Sequence, residues 1–173
     1  MNRWNEDPYG PGLMGAQGLG QSYFLTIRDI NQQVLVLQEK TLIAVPEDEH
    51  VTQISLATTP CRDESLEKGK GNPIYLGTEG HKLCLCCVES EGQPILKLEE
   101  RDIMELYHTP KAEKSFVFYQ NATYNISTFE SAAYPGWFIS SSVEKRKPIT
   151  LTKDVGKENI NFYFDSSTKP VLN

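Results

Sequence analysis

The sequence predicts an all-β fold, and three observations carry that expectation. Its apolar residues recur with a period of two, each alternating stretch is short and bounded by turn residues, and the stretches fall into three groups of similar length. The first stretch sets Tyr23, Leu25 and Ile27 against Phe24, Thr26 and Arg28, ahead of a turn over residues 29–32. A polar, glycine-bearing segment over residues 62–72 reads as a long surface loop. Beyond it Leu83, Leu85 and Cys87 alternate with Lys82, Cys84 and Cys86, and Leu96 and Leu98 with Lys97 and Glu99, the two stretches separated by a turn over residues 92–94. Residues 99–107 are expected to form a turn or short strand with a connecting loop, although Ile103, Leu106 and Tyr107 could share one helical turn. Phe116 and Phe118 alternate with Val117 and Tyr119, residues 134–136 make a turn, and Ile160, Phe162 and Phe164 alternate with Asn161, Tyr163 and Asp165.

Between Tyr23 and Asp165 there are about eleven or twelve strand candidates, the spacing of a sandwich or small barrel. They group over 23–60, 72–120 and 124–165. Three groups of about 45 residues suggest a threefold pseudo-repeat, the β-trefoil arrangement, against an immunoglobulin-like sandwich whose Cys…Trp…Cys signature is missing. The expected organisation is a flexible leader over residues 1–22, one domain over 23–166 and a short polar tail over 167–173.

Composition narrows the function classes. Hydrophobic residues make up 39% and charged residues 23%, which suits a soluble globular domain. A net charge of −6 lacks the basic footprint of a nucleic-acid binder. No apolar run approaches the roughly 18 residues of a membrane span. Residues 1–22 are glycine-bearing and lack the apolar core of a secretory signal. The expectation is synthesis in the cytosol.

Catalytic and metal signals are weak. Cys61, Cys84, Cys86 and Cys87 are expected to be reduced thiols packed in the core. A zinc site from His81, Cys84, Cys86 and Cys87 is disfavoured, because alternation sends Cys84 and Cys86 to one strand face and Cys87 to the other, and no second ligand pair exists. His50, His81 and His108 read as exposed loop residues and belong to none of the usual catalytic motifs. Asn121-Ala122-Thr123 and Asn125-Ile126-Ser127 match the glycosylation pattern and are placed in a loop before the strand around Phe129. Turn chemistry explains them without a glycan.

Residues 129–149 carry the most specific pattern. Phe129, Ser131, Pro135, Phe138, Ile139, Ser140 and Ile149 stand at the spacing of the interleukin-1 family signature, with Ser141 where the pattern has Thr. Residues 72–77, 83–87, 95–98, 102–107, 115–119 and 148–152 resemble that family too. The resemblance spans about residues 24–166 and is nearest to the interleukin-36 cytokines. It implies a β-trefoil with no catalysis, no metal and no cofactor. It implies a secreted, monomeric, pro-inflammatory ligand that leaves the cell without a signal peptide, binds the interleukin-36 receptor and recruits the interleukin-1 receptor accessory protein. An antagonist that binds without recruiting is the alternative. Receptor contact is expected at Pro60, Cys61, Arg62, Asp63 and Glu64, and at Asp154, Val155, Gly156 and Lys157, since binding residues favour loops on a rigid scaffold. The last of these loops is short and free of proline, which resembles the agonists. The resemblance also implies activation by a protease that trims the leader about nine residues before an aliphatic-X-Asp motif, a pro-segment switch. Here that motif is Ile27-Arg28-Asp29, and the new first residue would be Gly18. Its structural explanation is an Ile27 buried in the first strand and an Asp29 that starts the turn.

Overall fold

The computed structural model describes residues 23–80 and 82–166. Gly18, His81 and the tail over 167–173 lie outside them. Thirteen strands form one continuous hydrogen-bonded sheet. They are β1 (Tyr23–Asp29), β2 (Gln33–Gln38), β3 (Thr41–Pro46), β4 (Leu56–Pro60), β5 (Asn72–Thr78), β6 (Leu83–Ser90), β7 (Gln93–Glu100), β8 (Val117–Thr123), β9 (Ile126–Ser131), β10 (Phe138–Ser140), β11 (Lys147–Pro148), β12 (Thr150–Thr152) and β13 (Phe162–Ser166).

Six of them close on themselves. Strand β1 pairs β4, β4 pairs β5, β5 pairs β8, β8 pairs β9, β9 pairs β13, and β13 returns to β1, each pair antiparallel. The result is a barrel without a free edge. The hairpins β2–β3 and β6–β7 and the β10–β12 pair sit beyond one end of it. Each is entered through the same kind of corner, a single cross-strand pair: Arg28 with Val34, Gly77 with Cys84, and Glu130 with Phe138. The repeat boundaries agree with the three groups in the sequence. This is the β-trefoil, with the two-residue strand β11 added where Lys147 and Pro148 pair with Ala44 and Ile43.

The pseudo-symmetry continues into the core. The residues just before the three corners, Ile27, Leu76 and Phe129, and those just after, Leu35, Leu85 and Ile139, all face a common void. Leu56, Ile149 and Phe162 complete its wall. The void is about 10 Å³, at the lower limit for one water, and every wall residue is apolar. Phe129 and Phe162 meet there with ring centroids 6.2 Å apart at 53°.

A second apolar cluster lies outside the barrel. Cys61, Leu66, Tyr75, Cys84, Cys86, Leu106, Phe116 and Val117 pack together, whereas Cys87 joins the barrel core. All four cysteines are buried free thiols, and the two faces of β6 divide as the alternation requires. Burial pushes Cys84 and Cys87 up to about 12 and Cys86 up to about 11.

Three local expectations need correction. Residues 99–107 do not form a turn or strand with a loop: β7 runs to Glu100, and a helix, α1 (Ile103–His108), follows. Asp102 caps it by accepting the Met104 N–H at 3.0 Å, and Leu106 and Tyr107 face inward. His108 accordingly ends a helix, where it is exposed. The sequons do not occupy a loop either. Asn121 lies within β8, and only Tyr124 and Asn125 separate β8 from β9.

Candidate functional site: two anchored loops

The first candidate loop joins β4 to β5. Pro60 is the last residue of β4 and is buried, and Cys61 is 7% exposed. Neither presents a surface to a partner. Cys61 instead donates its thiol to Tyr75 Oη at 3.3 Å and its N–H to the Pro73 carbonyl at 2.9 Å, holding the loop from beneath. Arg62 and Glu64 are exposed, with Asp63 half-buried between them.

Asp63 anchors the loop. Its Oδ2 accepts the Ala112 N–H at 2.8 Å, and its Oδ1 accepts the Ser65 N–H at 2.9 Å and the Ser65 hydroxyl at 2.7 Å. The Ala112 amide, then the Ser65 groups, hold its carboxyl down at about 2. Arg62 donates to Tyr107 Oη at 2.7 Å, and its guanidinium carbon lies 5.2 Å from the Tyr107 ring centroid. The first loop therefore rests on α1 and on the segment that follows it. At its far end Gly71, at φ 123°, meets β8 so closely that a Cβ would stand 2.7 Å from the Gln120 carbonyl oxygen.

The second candidate loop joins β12 to β13. Asp154, Val155, Gly156 and Lys157 are all exposed. A backbone hydrogen bond from Lys157 N–H to the Asp154 carbonyl at 3.0 Å closes the turn, and the Asp154 N–H donates to Thr152 Oγ1 at 3.0 Å.

The roots of the two loops belong to opposite ends of β1. Pro60 follows Thr58, which pairs with Tyr23, while β13 begins at Phe162, which pairs with Asp29. They are linked along the outside of the barrel. Lys70 of the first loop pairs with Glu130 at 3.1 Å, and the same Glu130 oxygen accepts the Gly136 N–H at 2.7 Å. Gly136 precedes Trp137, whose ring carries the Lys153 ammonium 5.6 Å from its centroid. Lys153 begins the second loop. The signature turn at Pro135-Gly136 thus stands between the two candidate surfaces, which its sequence did not indicate.

The aliphatic-X-Asp motif is built into the barrel. Ile27 is 5% exposed and Asp29 is 1% exposed. Asp29 Oδ1 accepts the N–H groups of Asn31 and Gln33, each at 2.9 Å. Its Oδ2 accepts Gln33 Nε2 at 2.8 Å and the Ser141 hydroxyl at 2.7 Å. Ser141 stands where the signature has Thr, and the hydroxyl that both residue types offer is the group that reaches Asp29. Sequence reading missed this link because the partners are 112 positions apart.

Fold and loops together define a β-trefoil scaffold that presents two anchored loops. A family model described as Interleukin-1 / 18 matches residues 51–164. Human interleukin-36 alpha is 50% identical over 135 residues, covering 78% of this chain and 85% of that protein. Mouse interleukin-36 beta is 46% identical over 142 residues, covering 81% and 78%. The solved structure described as the NMR structure of the pro-inflammatory cytokine interleukin-36alpha superposes with a TM-score of 0.73 at 46% identity, covering 85% of this chain and 94% of that one. The chain belongs to the interleukin-1 family. It is a cytokine, similar to the interleukin-36 group, and a signalling protein without enzymatic activity.

Proposed function

We propose that this protein is an extracellular pro-inflammatory cytokine that binds the interleukin-36 receptor as a monomer and recruits the interleukin-1 receptor accessory protein. The observation that carries this reading is the 50% identity to human interleukin-36 alpha across most of both chains. Contact falls to exposed Arg62 and Glu64 with half-buried Asp63 between them in the first loop, and to exposed Asp154, Val155, Gly156 and Lys157 in the second. Pro60 and Cys61 support the first loop from below. Anchoring by Asp63 and Tyr107 favours binding, since a loop already held in one shape loses less entropy on association.

Synthesis in the cytosol, export without a signal peptide and trimming by a protease to a new N-terminus at Gly18 complete the reading. In it the segment before Gly18 obstructs receptor engagement, and Asn121 and Asn125 carry no glycan. A second reading is receptor antagonism. Mouse interleukin-36 receptor antagonist protein is 46% identical over 101 residues, although that match covers only 58% of this chain. The short, proline-free loop at Asp154–Lys157 favours agonism.

The test compares residues 1–173 with residues 18–173 on reporter cells carrying the interleukin-36 receptor and its accessory chain. Strong signalling by the trimmed form and weak signalling by the full chain is the expected result. Silence from both, with block of a known agonist, would make the protein an antagonist. Silence without competition would overturn the receptor assignment.

A further inference from the structure

The Asp29 carboxylate is densely bonded and lies outside the two candidate loops. It sits at the last position of β1, it is 1% exposed, and it accepts four hydrogen bonds. Two of them come from backbone N–H groups, that of Asn31 in the turn that leaves β1 and that of Gln33 at the start of β2. Buried carboxylates are costly unless satisfied in this way. The other two come from side chains that have few alternatives. Gln33 is 3% exposed, and its amide is turned so that Nε2 faces the carboxylate while Oε1 has no hydrogen-bond partner. The opposite orientation would set Oε1 against Oδ2, so the charge on Asp29 selects the amide orientation at the expense of one unsatisfied acceptor.

Ser141 is the member that extends the network. It is fully buried and lies one residue beyond β10. Its hydroxyl hydrogen goes to Asp29 at 2.7 Å, which leaves its oxygen free to accept from Asn159 Nδ2 at 3.4 Å. The backbones of Ser141 and Asn159 exchange two further bonds, N–H to carbonyl in each direction at 2.9 and 3.0 Å. Asn159 closes the loop that contains Asp154, Val155, Gly156 and Lys157. Three segments far apart in sequence, namely the end of β1, the exit of β10 and the root of the last loop, are thus tied at one buried oxygen pair.

We infer that Asp29 and Ser141 are positioning residues for receptor engagement. Their bond fixes the root of the loop over residues 153–158 relative to the first strand. The inference rests on the proposed receptor role of that loop. It gives the aliphatic-X-Asp motif a physical meaning: the aspartate marks where the first strand is fastened to a signalling surface contributed by the last repeat.

The experiment uses the full chain and three variants, Ser141→Ala, Ser141→Thr and Asp29→Ala. Backbone amide exchange reads the loop in the full chain, and binding to the immobilised receptor ectodomain, with each protein trimmed to residues 18–173, reads function. Ser141→Ala is expected to raise exchange tenfold or more at the Asn159 amide and across residues 153–158. The β6–β7 hairpin should exchange as in the parent. Ser141→Thr keeps the hydroxyl and should restore protection and binding together, a rescue that packing alone would not give. Asp29→Ala should match Ser141→Ala in the loop and also expose the Asn31 and Gln33 amides. If Asp29→Ala does not fold, the Ser141 pair still decides. Unchanged exchange at residues 153–159 in Ser141→Ala would overturn the inference. Raised exchange with unaltered receptor binding would uphold the fastening and overturn the receptor role of the loop.

Discussion

Removing the Phe129 ring tests the closed barrel most directly. Phe129 is 1% exposed, faces the central void and meets Phe162 at 6.2 Å. Phe129→Ala deletes apolar surface and enlarges a cavity whose wall is drawn from all three repeats. A six-strand ring cannot slide a strand inward without breaking pairs on both sides. The loss should therefore fall in the upper part of the usual range for such a change, about 4–5 kcal/mol. For a domain of this size that lowers the melting midpoint by roughly 10–15 °C. Equilibrium urea unfolding, followed by tryptophan fluorescence and circular dichroism, measures it at constant m-value. The enlarged void should stay dry and bind benzene or xenon, because every wall residue is apolar. Phe162→Ala and the double variant complete a cycle. The two changes share one void and one ring contact, so they should depart from additivity by about 0.5–1.5 kcal/mol. A loss below about 2 kcal/mol with an unchanged m-value would refute the reasoning, since it would mean that the ring closes over the gap.

Two other outcomes follow from the chemistry. Burial raises the Cys84, Cys86 and Cys87 thiols from an ordinary value of 9.0 to about 11–12, which cuts their thiolate fraction by about 10²–10³-fold. In the folded protein at pH 7.5 these three should resist a disulfide reagent such as DTNB, and unfolding in guanidinium should expose them. Stoichiometric labelling of any of the three within minutes in the native state would contradict their burial. Asp63 is held at about 2, below its ordinary 3.8. Its folded value is the lower one, so its stabilising effect is complete above pH 3.8 and fades as pH falls toward 2. The first loop should keep its anchor at any mildly acidic pH. An NMR titration of the Asp63 carboxyl and the Ala112 amide should show a shared midpoint near 2, and a midpoint near 4 would mean that the hydrogen bonds do not persist in solution.

Strand alternation was legible because a half-buried strand must show it. Tyr23, Leu25 and Ile27 turn inward whatever their partners are. The threefold repeat was legible in spacing and hardly at all in identity. Ile27, Leu76 and Phe129 occupy equivalent places, and the void asks only that each be large and apolar. Helix α1 was missed because six residues are too few for a 3.6-residue period to stand out. A local signal did exist, since Asp102 precedes Glu105 by the three residues of a capping box. The burial of Pro60 and Cys61 could not be read from a polar loop, because it depends on the shelf formed by Tyr75 and α1. The Asp29–Ser141 bond lies beyond any local pattern, as does the Lys70–Glu130 pair that ties the first loop to the signature turn.

The three corners of the barrel follow one plan, but the links between repeats do not. From the second repeat to the third the chain turns in two residues, Tyr124 and Asn125. From the first to the second it makes a long excursion, leaving β4 at Pro60 and regaining β5 at Asn72, and helix α1 with the segment after it comes up beneath to meet that excursion. A strictly repeated trefoil would offer a partner three identical faces and no means of choosing among them. The departure from repetition gives this molecule a front. A partner that gripped the excursion would meet the barrel in one orientation only, although the barrel itself is close to threefold symmetric.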